Sequence, residues 1–340
     1  MICHSKTISA LLFLAIAASL SGAELAAQDA TADGQPSVAD STALRVEATA
    51  DPAGWQIMQG DQQIAGYISD SAGRPVIYPI VGPGGHHMTR TFPFDVPLKG
   101  EKLDHPHHRS LWLTHGEVND IDFWLVGSRA GKIIQRSGTA EVAADGSVVI
   151  VTENDWMTPD ESKRVLADTR RFTFFNDNGR RIIDCDFLLK ATDGDVNFGD
   201  TKEGSFGMRV AGTMKVEAKQ GGQITNAEGE TNGDAWGKKS AWVDYTGPVD
   251  GDTVGITIHD HPSSFGHPCR WHVRTYGLFA ANPFGVHHFT NTPRTDGVVL
   301  KDGTRMRLNY RVVLREGDFD AAQAAQDAQK YANDPRPELQ

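Results

Sequence analysis

From residue 43 onward, apolar and polar positions alternate with period two along most of the chain. The clearest run is Arg305–Leu314. Met306, Leu308, Tyr310, Val312 and Leu314 face one way there, and Arg305, Arg307, Asn309 and Arg311 the other. This pattern marks a strand with one buried face. The same criterion predicts strands over Ala43–Ala48, Gln63–Ile68, Pro75–Ile80, Val148–Thr152, Arg171–Phe175, Arg181–Leu189, Thr253–His259 and Val273–Phe279. In Arg181–Leu189 the buried face would carry Ile183, Cys185, Phe187 and Leu189. Asp184 and Asp186 fall on the polar side, where they would line a concave sheet face or be solvated. Turn-forming clusters such as DSAGRP, NDNGR, PVDGD and KDGT separate the runs. One helix is predicted, Asp320–Ala332, rich in Ala and Gln, with an Asp at its start and a Pro soon after it. Many short strands and one C-terminal helix predict an all-β fold, a large antiparallel β-sandwich.

The N-terminus breaks this pattern. Lys6 precedes an apolar run, Ile8–Leu20, and then small residues, SGAELAAQ. Residues 1–27 read as a signal peptide, which would place the protein outside the cell or in the periplasm. The run is short for a membrane span, and no later segment approaches one. Residues 28–41 are small and polar, an expected disordered lead-in, and residues 42–335 are read as one domain. The net charge of −11 argues against nucleic acid as a partner. Cys185 and Cys269 are read as two free or buried thiols rather than a bridge.

Histidine is where the chain departs from an ordinary sandwich. In LDHPHHRSLWLTHGEVNDIDFW (Leu103–Trp124), His105, His107, His108 and His115 crowd together. If His107–Glu117 were one straight strand, His107 and His115 would lie roughly 26 Å apart, too far to share one ion. His105 and His107, at i and i+2 around Pro106, are a usable metal-ligand pair if the chain there is extended. A second such pair is His259 and His261, with His267, His272, His287 and His288 downstream. The segment NFGDTKEGSFGMRV (Asn197–Val210) adds Asp200, Lys202, Glu203 and Arg209. It is either a pocket rim, with Glu203 as an acid or base, or a charged surface hairpin. Trp112 and Trp271 lie beside these motifs and offer apolar faces to a sugar ring. No serine nucleophile elbow or nucleotide fingerprint occurs.

Taken together, YPIVGPGGHHMTRTFPF, DHPHHRSLWLTHGEVNDIDFW, FGDTKEGSFGMRVAG, AWGKKSAWVDY, IHDHPSSFGHPCRWHVRTYGLFAANPFG and LNYRVVLREG resemble the PmoA-type family of mostly secreted bacterial proteins. The resemblance covers roughly residues 42–335. The methane oxygenase label attached to that family implies a membrane copper subunit, which a chain without spans does not match. The resemblance implies instead a setting among sugar-oxidising and sugar-degrading proteins. The architecture it suggests is similar to the mutarotase-like supersandwich.

Three readings follow. The first is a secreted carbohydrate-active enzyme of hydrolase, lyase or epimerase type, acting on a small-molecule or oligosaccharide substrate. His107, His108, His261 and Glu203 would perform acid-base chemistry, and Arg109, Lys202, Arg209, Trp112 and Trp271 would bind substrate. The second is an enzyme dependent on a divalent transition metal held by His105, His107, His259 and His261. The third is a non-catalytic glycan-binding protein. All three require the 105–115, 200–209 and 259–288 segments to converge.

Overall fold

A computed structural model describes residues 42–98 and 100–340. The expected signal peptide and polar lead-in lie outside the described residues. Eighteen strands form, all paired antiparallel: β1 (Leu44–Ala50), β2 (Ala53–Gln59), β3 (Gln62–Ile68), β4 (Val76–Ile80), β5 (Leu111–His115), β6 (Lys132–Val142), β7 (Val148–Met157), β8 (Arg164–Asp177), β9 (Arg180–Lys190), β10 (Val196–Phe198), β11 (Gly204–Arg209), β12 (Gln223–Asn226), β13 (Trp242–Val249), β14 (Asp252–Asp260), β15 (Arg270–Val273), β16 (Leu278–Asn282), β17 (Val298–Leu300) and β18 (Arg305–Glu316). A one-turn helix, α1 (His287–Thr290), precedes β17, and α2 (Ala321–Ala332) follows β18. The first sheet has the order β1-β2-β3-β4-β5-β11-β16-β15, and the second β12-β13-β14-β18-β9-β8-β7-β6; β10 and β17 make a small ribbon.

The all-β sandwich with one C-terminal helix is therefore the fold. The two large sheets pack face to face through the residues that alternation sends inward. On β9 and β18, Phe187 pairs with Leu308, Cys185 with Tyr310 and Ile183 with Val312, all fully buried. From the first sheet, the Phe206 ring on β11 stacks on Tyr310 with centroids 4.6 Å apart. Cys185 and Cys269 are buried free thiols. Helix α2 begins as predicted, the Asp320 carboxylate accepting from the Ala322 and Gln323 amides. Among the described residues no helix is long and apolar enough to cross a membrane.

Two expectations fail. The predicted strand Val273–Phe279 is a hairpin instead. β15 ends at Val273, the Arg274 amide donates to Leu278 O, and Gly277 turns the chain at φ 102°, a conformation glycine tolerates. Asp184 and Asp186 neither line a concave face nor meet solvent. They are buried beneath the C-terminal segment, where Arg336 donates to both and Arg311 to Asp184 at 2.6–2.9 Å. Tyr331 covers both guanidiniums. This network fastens the C-terminus to the outer side of the second sheet. Arg336→Ala leaves Asp186 without the guanidinium that hydrogen-bonds it and is expected to destabilise the fold by about 3–5 kcal/mol. Urea unfolding measures this directly. Arg305→Ala, at an exposed position, should change stability by no more than about 0.5 kcal/mol.

Candidate functional site

The first sheet has an outer face as well as an inner one. Alternation on β5, β11 and β16 sends Leu111, Leu113, Phe206, Met208, Phe279 and Ala281 into the sandwich core. It leaves Trp112, Leu278 and Ala280 in a second apolar cluster on the other side, with Trp124 and Tyr276 against it. Gly207 lies under Trp112: a Cβ there would sit 2.6 Å from the indole ring, so only glycine lets the ring lie against the strand.

The histidine loop folds onto this floor. His105 and Ser110 have positive φ, and the His108 amide donates to His105 O, so His105-Pro106-His107 is a tight turn and not the extended ligand pair expected. Ser110 also interrupts the supposed straight strand, since β5 begins only at Leu111. The turn builds a ring stack, Trp112–His108–His105–Tyr276, with successive centroids 5.5, 4.7 and 5.3 Å apart and the planes within 15° of parallel. His107 meets His108 edge-on at 4.4 Å.

Two buried arginines hold the loop. Arg90 and Arg209 both donate to Asp104 Oδ1, at 2.9 and 3.0 Å. Arg90 also donates to the carbonyls of Lys102, Asp104, His105 and His108. Arg209 Nη1 donates to His108 Nδ1 at 3.0 Å. That bond needs a lone pair on Nδ1, so the His108 proton sits on Nε2. Burial, with the nearby Arg209 guanidinium, pushes the His108 pKa well below its ordinary value. His107 is half-buried, and its ring nitrogens have no hydrogen-bond partner among the described residues. Burial first, then neighbouring cations, lower its pKa to about 4. Both rings are neutral at pH 7.

Glu203 enters from the segment before β11. Burial raises the pKa of its carboxyl, but the hydrogen-bonded Lys202 ammonium opposes burial and the carboxyl is held below the usual range. It is ionised at pH 7. His272 Nδ1 donates to Lys202 O at 2.7 Å, and Asn282 Nδ2 donates to the carbonyls of Thr201 and Lys202. On the other side, His115 bridges Gly199 O and Ser205 Oγ. Asp200 is structural: it accepts from the amides of Val286, His287 and Thr295 and the Thr295 hydroxyl. Those donors overcome its burial and hold its pKa well below the carboxylate range. Tyr276 keeps its phenol proton, its pKa raised by burial against the opposing Arg209 and Arg274.

His107, His108, Glu203, Lys202, Arg209 and Trp112 thus lie on one face, but Trp112 and His108 are buried under the stack, so Trp112 supports the loop and presents no open face to a ligand. Arg109 turns aside to Ser71 Oγ and the Phe94 ring. Beyond it lies a cavity of about 510 Å³ lined by Trp55, Tyr67, Tyr78 and Phe94, which includes neither Glu203 nor any of the loop histidines. Trp271 is not a binding surface; it points into the core and donates its indole N–H to Ser240 O. His261 does not join the site. It belongs to the second sheet's side, bonded to Ser263 and to Asp334 O with Tyr331 against it. His259 is buried there too. The four proposed metal ligands therefore divide: His105 and His107 lie at the first sheet, His259 and His261 beneath α2. Among the described residues no group of three or more His, Cys, Asp or Glu side chains is arranged to hold a metal ion. Sequence reasoning missed His272, Arg274 and Tyr276 as site residues. The Thr-Tyr-Gly turn signal at 275–277 would have found the hairpin that presents the last two.

A family model described as a family of unknown function, DUF6807, matches residues 54–329. No curated protein matches the chain. Similar solved structures include the galactosidase domain of the α-galactosidase-sucrose kinase AgaSK, at 8% identity and TM-score 0.37, covering 80% of this chain and 42% of that one. A glycoside hydrolase family 97 enzyme from Pseudoalteromonas sp. strain K8, in complex with acarbose, matches at 10% identity and TM-score 0.32, covering 79% of this chain and 34% of that one. A β-arabinopyranosidase matches at 11% identity and TM-score 0.30, covering 79% of this chain and 38% of that one. The chain spans less than half the length of each.

The buried rings make a pH prediction. His115, His259 and His272 are each lowered to about 4, chiefly by burial. As pH falls, the unfolded chain takes up these protons first, near the ordinary value of about 6.5. Their contribution to stability is complete above that pH and disappears toward 4. For one such ring the loss between pH 7 and pH 5 is about 2 kcal/mol. Urea unfolding at the two pH values is expected to show a fall at least that large, and a flat profile would contradict the burial of these rings as neutral groups.

Proposed function

We propose, from the premise that the chain belongs to the DUF6807 family of unknown function, that the protein is a carbohydrate-active enzyme whose chemistry is proton transfer, of lyase or epimerase type. One observation carries the reading. On the aromatic outer face of the first sheet, Glu203 is an ionised carboxylate whose charge reaches both His107 and Tyr276, and the acids near it are otherwise engaged. Asp104 serves two arginines, and Asp200 serves backbone amides. Most glycoside hydrolysis needs two carboxylates flanking the scissile bond. Proton transfer needs one base and one acid within reach of the ring. Glu203 is the base, within electrostatic reach of neutral His107, and the protonated phenol of Tyr276 is the donor. The partly exposed rings of His105, His107 and Tyr276, backed by the buried His108, Trp112 and Trp124, supply flat surface of the kind a sugar ring covers. The same proposal takes the chain as an exported member of the PmoA-type group, on the quoted motifs and the apolar run Ile8–Leu20.

The test is turnover of a glycan and monosaccharide panel in D₂O, read by proton NMR. The wild-type protein is expected to exchange a ring C–H with solvent or to release an unsaturated product. Glu203→Gln should slow this by about 10²–10⁴-fold with the melting temperature preserved. Turnover indifferent to Glu203→Gln contradicts the assignment.

A further inference from the structure

Arg274 is a half-buried guanidinium with no acceptor. Its Cζ lies 5.5 Å from the ring centroids of Trp236 and of Tyr276, and its side chain has no hydrogen bond or ion pair among the described residues. The backbone is fixed by the hairpin, its amide donating to Leu278 O and its carbonyl accepting from Gly277. An arginine held by aromatic faces, with its planar fork of donors unused, is a preorganised receptor for an oxyanion. The charges around it sharpen the point. Asp104 is shared between Arg90 and Arg209, and Glu203 is paired with Lys202. The face therefore carries more cations than partners, in a chain whose net charge is −11. Arg209 lies on the same Tyr276 ring, 4.9 Å from its centroid.

We infer that the site takes an acidic sugar, with the ring carboxylate of a uronic acid bound by Arg274 beside Tyr276. This rests on the proton-transfer reading, which it completes. A carbon next to a carboxylate loses its proton readily only when that carboxylate is neutralised, and Arg274 supplies the neutralising charge at Tyr276, the residue that the Glu203 charge also reaches. The C5–H bond of the uronate breaks and its proton passes to Glu203, while its electron pair moves into the carboxylate bound by Arg274. The pair then either takes a proton back at C5, or forms the C4–C5 double bond as the C4–O bond breaks and that oxygen takes the Tyr276 proton. The fork of an arginine would also fit a phosphate; the carboxylate is favoured because it activates the carbon that a base must attack.

The experiment is titration calorimetry of wild-type, Arg274→Gln and Arg274→Lys protein with oligogalacturonides, oligoglucuronides, their carboxyl-reduced neutral counterparts, and hexose 6-phosphates. Wild-type protein is expected to prefer the acidic series by about 10-fold or more, the worth of one charge-assisted contact. Arg274→Gln should bring the two series within about 3-fold of each other, with Arg274→Lys between. Equal binding of the two series, no binding of either, a preference for the phosphates, or an acid preference that survives in Arg274→Gln overturns the inference. If Arg274→Gln does not fold, the wild-type preference and the lysine variant decide. Failure of the catalytic reading looks different. Arg274-dependent binding of uronates without Glu203-sensitive turnover would remove the chemistry and keep the ligand. Glu203-sensitive turnover of a neutral sugar, untouched at Arg274, would do the reverse.

Discussion

The alternation of β11 is the constraint on which both core and site depend. Six residues, Gly204–Arg209, lie inside the first sheet between β5 and β16. Phe206 and Met208 go inward, and the Phe206–Tyr310 stack joins the two sheets. The intervening positions go outward: Gly207 makes room for Trp112, and Arg209 reaches His108 and Asp104. A one-residue slip would exchange these sets, placing a guanidinium in the core and a phenyl ring on the site. Inner packing therefore sets the register that fixes the outer chemistry.

Electrostatics on that outer face follow from scarcity. Burying Arg90 and Arg209 is tolerable because each meets Asp104, and Arg90 also collects four backbone carbonyls. Those carbonyls belong to the histidine loop, so the bonds that satisfy Arg90 also shape His105–His108. The imidazoles are packed between aromatic faces and cations, an environment that favours their neutral form. The loop thus offers flat uncharged rings and ring nitrogens, while the charges sit on Asp104 and its two arginines, on Glu203 and Lys202, and on Arg274.

Much of the fold was legible because a two-residue period, once a face is buried, leaves little freedom. The inward faces of β9 and β18 matched the expected residues, and the Asp320 cap marked the start of α2. β11 was not legible. Its strand is short, and two glycines leave only Phe206 and Met208 as large apolar side chains to show the alternation. The Val273–Phe279 error came from reading an apolar, aromatic run through a glycine that the hairpin needs. At the site, Glu203, His107, His108 and Arg209 could be named from dense local chemistry. Which distant segments they would meet could not, because sheet order is set by pairings far apart in the chain, such as β5 with β11 and β11 with β16.

The two His-x-His pairs show the limit most clearly. His105-Pro106-His107 and His259-Asp260-His261 are spelled alike, yet one frames a site and the other is sealed away. Spelling does not separate them; what covers each does. The first pair rides a turn on the outer face of the first sheet against Tyr276, and the one-turn α1 packs on that face, its Phe289 against His272. The second pair ends β14 on the outer face of the second sheet, where Tyr331 of α2 lies over both rings. The Arg311–Asp184–Arg336–Asp186 network ties the C-terminal segment down at the same place. Neutral histidines are then simply part of a covered surface. The sandwich has two outer faces of similar chemistry, and its last twenty residues decide which one remains available to a ligand.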